Sequence, residues 1–84
     1  MELLTAIRKV TGVSIEDMRS PLKTKDRLAA RVIYSKMSGE KRTAIAREMN
    51  KSYNAITYYW KNYDAFYERD EEFKGWADKV KSLI

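Results

Sequence analysis

Apolar residues recur along this chain at helical spacing, and nowhere do they alternate as in a strand. Leu3, Leu4, Ile7 and Val10 share one face of a helix predicted over about Glu2 to Thr11, and Gly12 follows as its stop. Ser14 is placed to cap a short helix, Ile15 to Arg19, whose first turn holds Glu16 and Asp17 where the helix dipole favours acids. Ser20-Pro21 breaks it, and a basic loop, Leu22 to Lys25, comes next. Thr24 is the cap expected for a third helix running to about Met37. Its core face is Leu28, Val32 and Tyr34 or Ser35, flanked by Ala29 and Ile33.

After a Ser38-Gly39 turn, a fourth helix is predicted over about Glu40 to Met49, with Ala44, Ile45 and Met49 inward. Asn50-Lys51-Ser52 is a tight connection, and Ser52 suits the N-cap of a fifth helix, Tyr53 to Arg69. The stripe of that helix is Ile56, Tyr59 or Trp60, Tyr63, and Phe66 or Tyr67. Asp70 then caps a last helix, Glu71 to Ile84, carrying Phe73, Trp76, Ala77, Val80, Leu83 and Ile84 at helical period. The pattern predicts an all-α chain, a compact five- to six-helix domain spanning residues 1–84.

Composition narrows the chemistry. With no cysteine and no histidine, disulfides, zinc fingers and Ser-His or Cys-His nucleophiles are excluded. Glu68, Asp70, Glu71 and Glu72 cluster, but at a helix start, where acids cap and solvate rather than catalyse. No Gly-rich phosphate loop is present. The expectation is therefore a protein that is not an enzyme and takes no cofactor or metal. No apolar run reaches the length of a membrane span and no signal peptide is recognisable, so no membrane partner and a cytoplasmic location are expected.

Charge changes the picture further. The chain carries a net +5, and it is unevenly placed. Residues 19–51 hold ten Lys and Arg against three acids, a net +7, whereas residues 62–84 come to −2. A basic middle segment of this density points to an anionic partner, nucleic acid first.

The segment KRTAIAREMNKSYNAITYYWK, residues 41–61, reads as helix, tight turn, helix. Packing Ile45 and Met49 against Ile56 and Tyr59 or Trp60 leaves the opposite face of the second helix free. Ser52, Tyr53, Asn54, Thr57, Tyr58 and Lys61 stand on that face near its N-terminal end. Asn can donate to and accept from adenine, Thr offers a hydroxyl and a methyl, and Lys meets phosphate or guanine. In helix-turn-helix proteins this end of the second helix enters the major groove while the first crosses the backbone. Arg42, Thr43 and Arg47 on the first helix are then candidates for phosphate contacts, which position such a module on the duplex.

These features resemble the C-terminal DNA-binding domain (domain IV) of the bacterial replication initiator DnaA, within the Trp-repressor-like helix-turn-helix superfamily. The resemblance covers the whole chain in four segments: the opening helix with Val13 to Met18, SPLKTKDRLAAR from Ser20, TAIAREMNKSYNAI from Thr43, and the tail YERDEEFKGWADKV from Tyr67. It implies that Lys23 and Lys25 occupy the basic-loop positions directed to the minor groove and phosphates, and that Lys51, Ser52, Tyr53, Asn54 and Ala55 stand where the family reads its target. The family has Arg-Asp-His-[Ser/Thr]-Thr there, so the target sequence is not expected to carry over. The turn is about one residue shorter than the family's, and the segment from Arg31 to Ile45 about one helical turn shorter. The initiator's ATPase region is absent from the 84 residues, and origin melting with it. Both a monomer, as in the DnaA type, and a homodimer, as in the Trp-repressor type, stay open.

Tyr53, Tyr58, Tyr59, Trp60, Tyr63, Phe66 and Tyr67 crowd one helix. Ile56, Trp60, Tyr63 and Tyr67 form a core stripe by spacing, and Tyr53 and Tyr58 fall outside it. The leading expectation is double-stranded-DNA binding, in transcription regulation or as a replication accessory of a phage or other mobile element. The alternative is a protein-interaction module of such an element, binding a host protein through exposed aromatics.

Overall fold

In a computed structural model describing all of residues 1–84, the chain folds into six helices and no strand. They are α1 (Leu3–Thr11), α2 (Ile15–Arg19), α3 (Lys25–Met37), α4 (Arg42–Met49), α5 (Tyr53–Arg69) and α6 (Glu71–Leu83). Local chemistry sets most of their ends. Gly12 closes α1 in the left-handed region at φ 77°, which an L side chain rarely adopts. Ser14 and Asp17 form a reciprocal capping box: the Ser14 Oγ accepts from the Asp17 N–H at 3.2 Å, and Asp17 accepts from the Ser14 N–H at 3.1 Å. Thr24, Ser52 and Asp70 cap α3, α5 and α6 by accepting first-turn N–H groups, Asp70 two of them.

The fourth helix departs from expectation, starting at Arg42 rather than Glu40. Gly39 is left-handed at φ 71°, and Lys41, which has no acceptor to offer, takes the N-cap position without a side-chain bond. The chain therefore turns for two residues longer than its polarity suggests.

α3 is the central element, packed against α1, α2 and α5. It is buried along seven consecutive residues, Ala29 to Ser35, more than one face, while Leu28 lies only at the core's edge. α5 is flanked by α4 and α6, and α6 returns to α1, closing a body of 27 × 25 × 24 Å. Ile7, Met18, Ile33, Ile45, Met49, Ile56 and Val80 are completely enclosed in one cluster. Each such side chain contributes roughly 1.5–3 kcal/mol by leaving water. On α4, Ile45 and Met49 are buried as expected, but the buried alanine is Ala46, and Ala44 is only partly covered.

Trp60 is a second correction. It is 38 % exposed and sits outside the core, with the Lys36 ammonium 4.1 Å and the Arg42 guanidinium 4.8 Å from its ring. Tyr59 packs against the core instead. The cations are held over the ring's negative face, so Trp60 fastens the end of α3 and the start of α4 to α5 from outside. No helix is long and apolar enough to cross a membrane.

Candidate nucleic-acid interface

Everything at this site hangs on how α5 begins. Asn50 adopts the left-handed conformation (φ 53°, ψ 46°), its side chain tolerating what most residues avoid. The Asn50 and Lys51 N–H groups then reach back to the Arg47 and Ala46 carbonyls at 3.3 and 3.0 Å, ending α4 cleanly. Two residues later the Ser52 Oγ accepts from the Ala55 N–H at 3.1 Å and starts α5. The result is a helix, a three-residue turn and a 17-residue second helix with a fixed first turn.

Ile56 and Tyr63 point α5 into the core, which turns Tyr53, Asn54, Tyr58 and Lys61 outward together. Tyr53 and Tyr58 are each 50 % exposed. Thr57 lies between them, but its hydroxyl is enclosed and has no hydrogen-bond partner. Ser52 is exposed while its oxygen serves as the cap.

The remaining candidates fall into two groups. Lys23 and Thr43 are exposed and form no intramolecular ion pair or side-chain hydrogen bond. Lys25, Arg42 and Lys51 are engaged. Lys25 pairs with Glu72 at 3.0 Å and Asp70 at 3.3 Å, and these partners raise its pKa. Arg42 stacks on Trp60. The Lys51 ammonium donates to the Ser20 carbonyl at 2.7 Å and lies 3.5 Å from that of Arg19.

Sequence reasoning missed Arg31. It is 2 % exposed, and its Nε donates to the Met18 carbonyl at 2.9 Å while Nη2 reaches Ser20 at 2.8 Å and Asp17 at 3.3 Å. With Lys51, it collects the orphan carbonyls at the C-terminal end of α2, where the helix carries partial negative charge. That is why a helix of five residues persists here. Burial lowers the pKa of both groups, and for Lys51 the neighbouring Arg31 and Lys23 lower it further. The one local signal for Arg31 is its position between Ala30 and Val32, in a helix apolar on more than one side.

Between the α2–α3 loop and the first turns of α5 lies a cleft of two adjoining hollows, about 360 and 370 Å³. Both share Lys23, Arg31, Ala55 and Tyr59. Leu28 and Tyr58 extend one of them, and Pro21, Asn50, Lys51 and Ser52 the other. No acidic residue lines either.

Elsewhere, Tyr34 donates to the Glu48 carboxylate between α3 and α4, and burial first and that carboxylate second raise its pKa. The neighbouring Glu48 carboxyl raises the pKa of Glu40, and Glu40 in turn lowers that of Glu48.

The chain matches no protein-family model, no curated protein and no solved structure.

Proposed function

We propose that this chain binds double-stranded DNA, with the first turns of α5 in the major groove and α4 across the backbone. It acts as a module of the DnaA domain IV type, in transcription regulation or as a replication accessory. One observation carries the reading. The outward polar face of α5, with Asn54 and Lys61 between two half-exposed tyrosines, adjoins basic side chains that no acid neutralises. Ion pairs in the whole molecule involve only Lys25 and Arg27 among the bases, leaving Lys23, Arg42, Arg47, Lys51 and Lys61 unmatched by carboxylates. Asn on a groove-facing helix can make the two-bond contact to adenine, and unmatched cations release counterions on meeting phosphates.

Fluorescence anisotropy tests this with a random-sequence duplex and its single strand at 50 and 200 mM salt. If about six phosphates are contacted, duplex affinity falls by about a thousandfold between the two conditions. At a selected preferred site, Asn54→Ala costs about 1–3 kcal/mol and relaxes preference at one base pair. A folded protein with no salt-dependent affinity for any duplex overturns the proposal.

The half-exposed Tyr53 and Tyr58 favour a second reading, a module docking on a host protein through its aromatics. On that reading Tyr58→Ala abolishes partner capture while Asn54→Ala and Lys61→Ala leave it intact.

A further inference from the structure

A buried guanidinium is normally matched by a carboxylate or has all its N–H groups engaged, because an uncompensated charge away from water is costly. Arg31 meets neither condition. It forms no ion pair, its Nε and Nη2 are bound to main-chain carbonyls, and its Nη1 makes no bond within the molecule and is the part of the guanidinium that still reaches solvent. Arg31 borders both hollows of the cleft, where Lys23 and Lys51 join it. The mutual repulsion of these cations is felt at Lys51, whose pKa burial, Arg31 and Lys23 all depress.

The cleft also abuts the start of α5. Ser52 lines it, and the N–H groups of Tyr53 and Asn54 bond to nothing within the molecule, so the positive end of a 17-residue helix adds to the field. Further along α5 the same wall is apolar and aromatic, with Ala55, Tyr58 and Tyr59, and it faces Lys23 and Arg31 across the cleft.

We propose that this cleft seats one sugar-phosphate unit of the duplex backbone, its phosphate toward Arg31, Lys23 and Lys51 and its deoxyribose against Ala55 and the two tyrosines. The inference rests on the DNA reading above and adds a register anchor to it. A phosphate held at the first turn of α5 fixes how far Asn54 reaches into the groove. It also supplies the counter-charge that Arg31 lacks, so occupancy stabilises the junction of α2, α3 and α5.

Removing Arg31 would unfold that junction, so the test uses Lys23, which is exposed and unbonded. The ¹H–¹⁵N spectrum of the whole protein is followed during titration with dimethyl phosphate, a minimal phosphodiester, against sodium chloride at equal ionic strength. The expected result is saturable movement of the Arg31 Nε–H, Tyr53 and Asn54 signals, weakened by Lys23→Ala. The same variant weakens all duplexes alike and lowers the salt slope by about one.

If duplexes bind but those signals stay still and Lys23→Ala binds as the parent does, the cleft assignment is wrong while the DNA reading stands. If dimethyl phosphate saturates the cleft and no duplex binds, the backbone assignment falls together with the DNA reading, and the cleft belongs to a free phosphate ester.

Discussion

The hydroxyls of Thr57 and Tyr63, both on α5, are enclosed without a hydrogen-bond partner. An unsatisfied buried polar group costs about 1–3 kcal/mol, and removing it while keeping the shape is neutral or favourable. Burial also pushes the Tyr63 phenol up in pKa, with Asp78 and Asp64 adding to the shift. Thr57→Val and Tyr63→Phe should therefore each leave stability unchanged or raise it by up to about 1 kcal/mol, read from urea midpoints at constant slope. A loss of more than about 1 kcal/mol would show that an ordered water satisfies the hydroxyl. Thr57 also bears on the interface. With its hydroxyl turned inward it offers no hydrogen bond to a base, so Thr57→Val should keep the sequence preference that Asn54→Ala relaxes. A change of preference at one base pair in Thr57→Val would mean that the side chain rotates outward on DNA.

Among the elements, α6 is the seal. Phe73 meets Tyr63 edge-on, ring centres 5.5 Å apart, and tilts against Phe66 at 5.7 Å, while Ala77 and Val80 are fully buried beside it. Phe73→Ala should cost about 3–5 kcal/mol, a large part of the roughly 5–15 kcal/mol that holds a domain together. Chemical denaturation followed by circular dichroism measures it, and a cost under 1 kcal/mol would show that α6 is not part of the cooperative core. Much of this element layout was legible because caps act within four residues. Ser14, Ser52 and Asp70 announce α2, α5 and α6, and α2 and α5 run as read. The start of α4 was not legible, because Lys41 caps without an acceptor of its own. Period alone left Tyr59 and Trp60 undecided, and side chains from two other helices, Lys36 and Arg42, settle the matter. The outward face at Tyr53, Asn54, Tyr58 and Lys61 was readable as the reverse of Ile56 and Tyr63. The diversion of Lys25 to Asp70 and Glu72, and the burial of Arg31 on carbonyls 11 to 14 residues upstream, depend on long-range packing that no local pattern encodes.

For the whole molecule, acids gather at helix starts and unmatched bases around the start of α5. Asp17, Asp26 and Asp70 all stand at the beginning of a helix, and each has its pKa held below the ordinary aspartate range. The Ser14 N–H does this for Asp17, the Thr24 hydroxyl for Asp26 and the Phe73 N–H for Asp70. An acid whose pKa is lower folded than unfolded binds fewer protons in the native state. Its stabilisation is complete above the unfolded value of about 3.9 and is lost as pH falls through the folded value. Glu40 runs the other way: Glu48 raises it, so its contribution is present below the unfolded value and lost as pH rises through the folded one. With Glu48 also lowered, four groups oppose one, so the thermal midpoint should fall on acidification below about pH 4, and Asp17→Asn should flatten that limb. A midpoint that instead rises on acidification would mean that Glu40 outweighs the lowered acids. Between about pH 6 and 8 no histidine exists to change the charge of the basic face. Duplex affinity should accordingly stay level across that window at fixed salt, while responding steeply to salt at fixed pH. A several-fold change across it would place a titrating group inside the interface.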